Sequence, residues 1–257
     1  MSLMACTRSY QNEAEDPYCG KAIVDGTLLA PTDPFAKRVA LLLADNSSCT
    51  ATPISSNILL TAAHCVHGKK EIHVVFSDSL QCQGNANTPT QTRRVLSSHL
   101  YPDFNESVFK GNDVRKVKND VALVKIEGAI PNDYYISTVY NGRDRLQSDE
   151  LILLGFGDSR EHSDEPPRLR KAQKSFSRSL FRTEEPQQLI LDQKSNGGIC
   201  LGDSGGPQFI LTNGVYKILG VNSAVNGPNN SPCHDQAIIM YAPYFFDWIM
   251  KKTYELR

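Results

Sequence analysis

Cys200-Leu201-Gly202-Asp203-Ser204-Gly205-Gly206-Pro207 is the stretch whose reading decides the fold. A serine set among glycines suits a nucleophile on a tight turn, with backbone amides left open to a developing negative charge. Two serine chemistries use such a turn, and they differ in where its partners lie along the chain. In a strand-to-helix elbow of the G-x-S-x-G kind, an acid and then a histidine follow the serine, with further parallel strands. Little chain follows Ser204, and His234-Asp235 are adjacent and in the reverse order. The partners are therefore expected upstream.

Upstream stand Thr61-Ala62-Ala63-His64-Cys65 and Asn119-Asp120-Val121-Ala122-Leu123-Val124, which give the chain order His, Asp, Ser. The chemistry needs these residue types. A neutral serine hydroxyl is a weak nucleophile near neutral pH, and an imidazole of pKa about 6.5 can take its proton and return it to a leaving group. The three motifs in this order resemble those of the chymotrypsin/trypsin family of serine proteases, and the resemblance runs from Ile23 to the C-terminal segment. It implies a serine endopeptidase without a cofactor, with His64, Asp120 and Ser204 as catalytic triad. It also implies an oxyanion hole made by the backbone N–H groups of Gly202 and Ser204. Ser223, in Gly220-Val221-Asn222-Ser223, matches the serine that hydrogen-bonds the aspartate.

Short β-branched or alternating segments recur between Asn, Asp, Gly and Pro. They are Arg38–Ala44, Cys49–Ser55, Glu71–Phe76, Arg93–Ser98, Val121–Ile126, Leu151–Phe156, Leu169–Ser175, Gln188–Asp192, Pro207–Leu211, Val215–Asn222 and Ala237–Tyr241. That rhythm predicts an all-β sandwich or barrel. One helix is expected after Pro243, with Phe245, Trp248, Ile249 and Tyr254 on its apolar face. The resemblance narrows the class to two antiparallel six-stranded Greek-key β-barrels with a C-terminal helix. By that resemblance residues 23–133 form the first barrel, with His64 and Asp120. Residues 134–257 form the second, with Ser204, the specificity pocket and the helix. Residues 1–22 precede them as a propeptide or anchor segment.

Seven cysteines, at positions 6, 19, 49, 65, 82, 200 and 233, include no CxxC pair and no Cys/His cluster at zinc-ligand spacing. His64-x-x-His67 lacks a third ligand, so no metal is expected. The family resemblance implies disulfides Cys49–Cys65 and Cys200–Cys233. Cys19 and Cys82 are left as a candidate pair, and Cys6 as the odd sulfur. Such usage points to an oxidising compartment, hence a secreted or cell-envelope protein. Leu3-Met4-Ala5-Cys6 admits two readings: the end of a lipoprotein signal whose cysteine carries a lipid anchor, or a chance run.

With 27 basic and 28 acidic residues the formal charge is -1, which gives no electrostatic case for nucleic acid or an anionic membrane. The basic stretch Arg168, Arg170, Lys171, Lys174, Arg178 and Arg182 reads as a solvated strand face before it reads as an anion patch. No apolar run approaches the roughly 18 residues of a membrane helix. Protein or peptide substrates and a monomeric state are expected.

Ile23-Val24-Asp25-Gly26 resembles the N-terminus that these proteases gain on activation. That implies a cut after Ala22 and a new amine on Ile23 pairing with Asp203. The uncut chain is then a zymogen in which Ile23 does not reach Asp203. Counting back from Ser204, Gly198 and Ile199 fall at the pocket floor, where trypsin carries a carboxylate, so a basic P1 side chain is disfavoured. Ala224 and Val225 fall on one wall, and Gln236 or Ala237 on another. The valine resembles the elastase arrangement, which implies small or medium apolar P1 residues. Such an enzyme, or a separate activating protease, would cut Ala22–Ile23. A catalytically silent binding or regulatory protein on the same fold, and an esterase, are the competing readings.

Overall fold

Leu-, Val- and Ile-rich runs with no polar alternation are what strands buried on both faces look like. The computed structural model describes residues 23, 26–45, 47–77, 91–107, 116–157, 168–176, 185–194, 198–227, 233 and 235–257. After the two-residue strand β1 (Thr27–Leu28), six strands close into a barrel in the order β2-β3-β4-β7-β6-β5. They are β2 (Ala40–Ala44), β3 (Ser47–Pro53), β4 (Ile58–Thr61), β5 (Ile72–Phe76), β6 (Gln91–Leu100) and β7 (Ala122–Ile126). β2, β4 and β7 bury nearly every side chain, whereas β6 is largely open to solvent.

The second half begins with β8 (Thr138–Val139) and continues through β9 (Leu146–Gly155), β10 (Arg170–Ser175), β11 (Gln188–Asp192), β12 (Pro207–Thr212), β13 (Val215–Asn226) and β14 (Gln236–Tyr241). Strands β9 to β14 repeat the pairing scheme of β2 to β7. The first strand pairs with the second and fourth, the fourth with the fifth, the fifth with the sixth, and the sixth with the third. The closing pair, β10 with β11, is not formed among the described residues. β8 departs from the antiparallel expectation by lying parallel to β13.

β1 pairs with β10 of the second sheet, with Thr27 opposite Lys171. Ile23 is fully buried in the second half's apolar cluster, with Tyr140, Leu151, Phe176, Ile199 and Ile210. Ile23, Thr27 and Leu28 thus lie against the second half. Arg170 donates to the Gly26 carbonyl at 3.0 Å, and Lys171 reaches Asp33 at 2.6 Å. Lys174 is buried. Within β10, Arg170 and Lys171 thus hold the N-terminal segment and are not a solvated face. Arg178 and Arg182, like Cys6, Cys19, Cys82 and Ala22, lie outside the described residues.

Helix α1 (Ala242–Glu255) starts with Pro243 in its first turn, where the missing N–H costs no hydrogen bond. Ala242, Phe245, Ile249 and Thr253 form its buried face. Phe245 and Trp248 meet the Tyr101 ring at 4.8 and 5.2 Å, just beyond β6, so the helix braces the first barrel. Tyr254, expected on the apolar face, is 79% exposed, because the i, i+4 spacing from Phe245 passes through Ile249 to Thr253. Phe245→Ala is expected to destabilise the protein by about 3–5 kcal/mol and Tyr254→Ala by less than about 0.5 kcal/mol in denaturant unfolding.

Candidate active site

Asp120 follows Asn119, whose φ of 60° turns the chain into β7, and its carboxylate is fully buried. A buried carboxylate must be hydrogen-bonded on most of its lone pairs. Three donors meet it. The His64 backbone N–H donates to Oδ1 at 2.8 Å, the His64 Nδ1 ring nitrogen lies 2.8 Å from Oδ2, and Ser223 Oγ donates to Oδ2 at 2.5 Å. Ser223 comes from β13, where the register with β14 shifts between Asn222 and Ala224. That bulge re-aims the serine across to the first barrel.

His64 leaves β4 on a turn held by the Cys49–Cys65 disulfide. Burial is the largest influence on its imidazole and acts to lower the pKa. The charge and hydrogen bond of Asp120, followed by the charge of Glu106, act against it, and the net shift is upward from the ordinary histidine value. Cys49, His64 and Cys65 present three ligand-type atoms within 4.8 Å of one another. The two sulfurs are bonded to each other, however, so they offer no thiolate to a metal.

The Ser204 turn is clamped from both sides. The Thr50 N–H donates to the Ser204 carbonyl at 2.7 Å, and its hydroxyl donates to the Gly202 carbonyl at 3.2 Å. That hydroxyl also lies 3.3 Å from the Phe156 N–H, as acceptor, and Thr61 Oγ1 donates to the Thr50 carbonyl at 2.9 Å. From behind, the Gly205 N–H donates to the Asn222 carbonyl at 2.7 Å, and the Asn222 side-chain amide to the Asp203 carbonyl at 3.1 Å. Gly202 and Gly205 take φ of +89° and +80°. A Cβ at Gly205 would lie 2.1 Å from Thr61 Oγ1, so nothing larger than glycine fits between the two halves. Neither the Gly202 nor the Ser204 N–H is taken by a backbone carbonyl among the described residues.

Ser204 Oγ donates to the Ser223 carbonyl at 3.5 Å. Beside it opens a cavity of about 200 Å³ lined, among the described residues, by His64, Ile199, Cys200, Leu201, Ser204, Ser223, Ala224 and Val225. The Cys200–Cys233 disulfide is present, with Val225 packed on it. Of the residues expected at the pocket, Ile199, Ala224 and Val225 line this cavity. Gly198, Gln236 and Ala237 do not. Ala237 is buried in the second half's core opposite Val225, and Gln236 pairs with Asn226 at the strand's start. A Cβ on Gly198 would run into the Gln193 carboxamide at 2.3 Å. Asp203 is fully buried and accepts from the Gly157 and Cys200 N–H groups at 2.7 and 2.8 Å. Thr50 and Gln193 carry no signal in a single sequence that sets them apart from ordinary strand and loop polar residues, and the motifs that contain Thr61 and Asn222 do not reveal these partners.

Comparison with known proteins converges on one family. The trypsin family model matches residues 28–249. The mosquito Anopheles gambiae serine protease SP24D is 24% identical over 77% of this chain and 72% of its own. Mouse neutrophil elastase is 23% identical over 78% and 71%, and human chymotrypsin-like elastase family member 1 is 22% identical over 93% and 96%. Among solved structures, the mouse brain serine protease neuropsin superposes with a TM-score of 0.68 at 20% identity, over 90% of this chain and all of its own.

The geometry makes the His64 titration depend on Asp120. In an NMR titration the His64 ring is expected to deprotonate above the ordinary value of about 6.5. Asp120→Asn removes the two largest upward influences while burial remains, so the midpoint should fall below that of the unmodified protein. An unmoved midpoint would contradict this account.

Proposed function

The chain belongs to the trypsin family and is a serine endopeptidase; from that premise we propose that His64, Asp120 and Ser204 are its catalytic triad, that it prefers small or medium apolar P1 side chains, and that a cut before Ile23 activates it. The observation that carries the reading is the buried Asp120 carboxylate, which takes hydrogen bonds from His64 and Ser223 while Ser204 and His64 border one cavity.

On this reading Ser204 Oγ attacks the scissile carbonyl as His64 Nε2 takes its proton, and the oxyanion formed is held by the Gly202 and Ser204 N–H groups. Collapse breaks the C–N bond, the departing amine takes the proton from His64, and an acyl ester remains on Ser204. Water, deprotonated by His64, reverses the sequence and releases the acid. Asp120 holds the ring with Nδ1 toward it and stabilises the imidazolium. Because the shift of His64 is upward, kcat/KM should rise with pH through a midpoint above about 6.5, where the imidazole becomes neutral.

The cavity supports the P1 preference. Ile199, Ala224, Val225 and the Cys200 sulfur give it apolar walls, and no carboxylate is among its described lining residues. One methylene too many in such a pocket costs about 1–3 kcal/mol.

Asp203 ties the backbone at Gly157 and Cys200 to the oxyanion turn, so an added positive charge beside it would stiffen that turn. Ile23 is already buried next to Ile199. On this reading the cut leaves an ammonium group on the buried Ile23. Two disulfides fit an extracytoplasmic compartment, and no helix among the described residues is long and apolar enough to cross a membrane.

A P1-varied peptide library should show Ala and Val cleaved at least tenfold better than Lys and Arg, a ratio of about 1.4 kcal/mol or more in transition-state binding. A preference for basic P1 would overturn the pocket reading. Purified precursor should gain activity in step with appearance of an Ile23 N-terminus, and Ser204→Ala precursor should not convert itself. Conversion of that variant at the unmodified rate would show that another protease makes the cut.

A further inference from the structure

A glutamine whose carboxamide makes three hydrogen bonds lies behind the pocket wall. Gln193 follows β11 and is 1% exposed. Its side-chain oxygen accepts from the Ile199 N–H at 2.6 Å, and its amide donates to the Ile199 carbonyl at 3.0 Å and to the Cys233 carbonyl at 2.9 Å. Its own backbone N–H donates to the Asp235 carbonyl at 2.9 Å. One side chain thus holds both polar groups of a residue that lines the cavity. It also ties that residue to the segment the Cys200–Cys233 disulfide joins from the other side.

The carboxamide fills the space that a side chain at Gly198 would need. An added Cβ there would lie 2.3 Å from the Gln193 oxygen and 2.5 Å from its carboxamide carbon. Glycine at 198 and glutamine at 193 are therefore two halves of one packing solution: the residue before the Ile199 wall carries no side chain, and the carboxamide behind it supplies the volume. We propose that Gln193 is a specificity-determining positioning residue, which closes the space behind Gly198 and holds the Ile199 wall at the spacing that admits only short P1 side chains.

The inference rests on the cavity beside Ser204 being the P1 pocket. A buried amide with three partners is costly to unsatisfy, so removing it frees the Ile199 and Cys233 groups and the wall can retreat into the vacated volume. Residues of the triad are untouched.

The test compares the activated enzyme with Gln193→Ala and Gln193→Asn, the second keeping the carboxamide one methylene shorter. A fluorophosphonate that labels Ser204 reports folded, competent enzyme in each, and the readout is the ratio of kcat/KM for Phe over Ala at P1. Gln193→Ala should raise that ratio at least tenfold and Gln193→Asn by a smaller factor, with labelling rates within about twofold of the unmodified enzyme. A ratio unchanged in labelled variants overturns the proposal, and if the alanine variant fails to fold the asparagine variant decides. If the unmodified enzyme itself favours large P1 residues, the small-P1 reading fails, while the shift between variants still judges Gln193.

Discussion

The Asp120 carboxylate is the constraint on which the rest of the structure depends. It is buried, it belongs to the first barrel, and its donors come from both halves: the His64 backbone and ring from one, the Ser223 hydroxyl from the other. Separating the halves would leave a charge buried without its full set of partners, or force it into water and release the imidazole. Removing one partner of a buried charge costs about 3–5 kcal/mol, so the interface between the halves and the orientation of His64 are set by the same hydrogen bonds.

A second set of contacts does for the serine what Asp120 does for the histidine. Thr50, on β3, holds the carbonyls of Gly202 and Ser204 through its hydroxyl and its N–H, while Asn222 on β13 takes the Gly205 N–H from the opposite side. The turn is thus fixed by a strand of each half. Among the described residues neither the Gly202 nor the Ser204 amide is taken by a backbone carbonyl. The positive φ of Gly202 and Gly205 follows from that double clamp, since a turn this tight between two packed walls has no room for a side chain.

The parts legible in the sequence are those whose information is local. Thr61 to Cys65, Asn119 to Val124 and Gly202 to Pro207 each carry a chemical residue within a short pattern, and their order along the chain pointed to one arrangement. The strand rhythm showed the all-β class, since short apolar runs between turn residues have few other solutions. What stayed hidden depends on residues that meet only after folding. Thr50 reaches Gly202 across 152 positions, and Gln193 meets Cys233 across 40. Counting from Ser204 placed Gly198 in the pocket, but the direction its Cβ would take, into Gln193, is set by packing alone. The seat of Ile23 in the second half, the parallel pairing of β8, and Thr253 in place of Tyr254 on the helix's buried face have the same origin.

The proposed catalysis turns on a covalent step at one oxygen atom, and that step can be seen directly. Turnover of a slowly deacylating ester by the activated enzyme, quenched in acid and mapped by peptide mass spectrometry, should show a burst equal to the enzyme concentration. The acyl group should sit on the peptide containing Ser204. Steady turnover with no acyl group on Ser204 would contradict the assignment of Asp120, His64 and Ser204 as one catalytic unit.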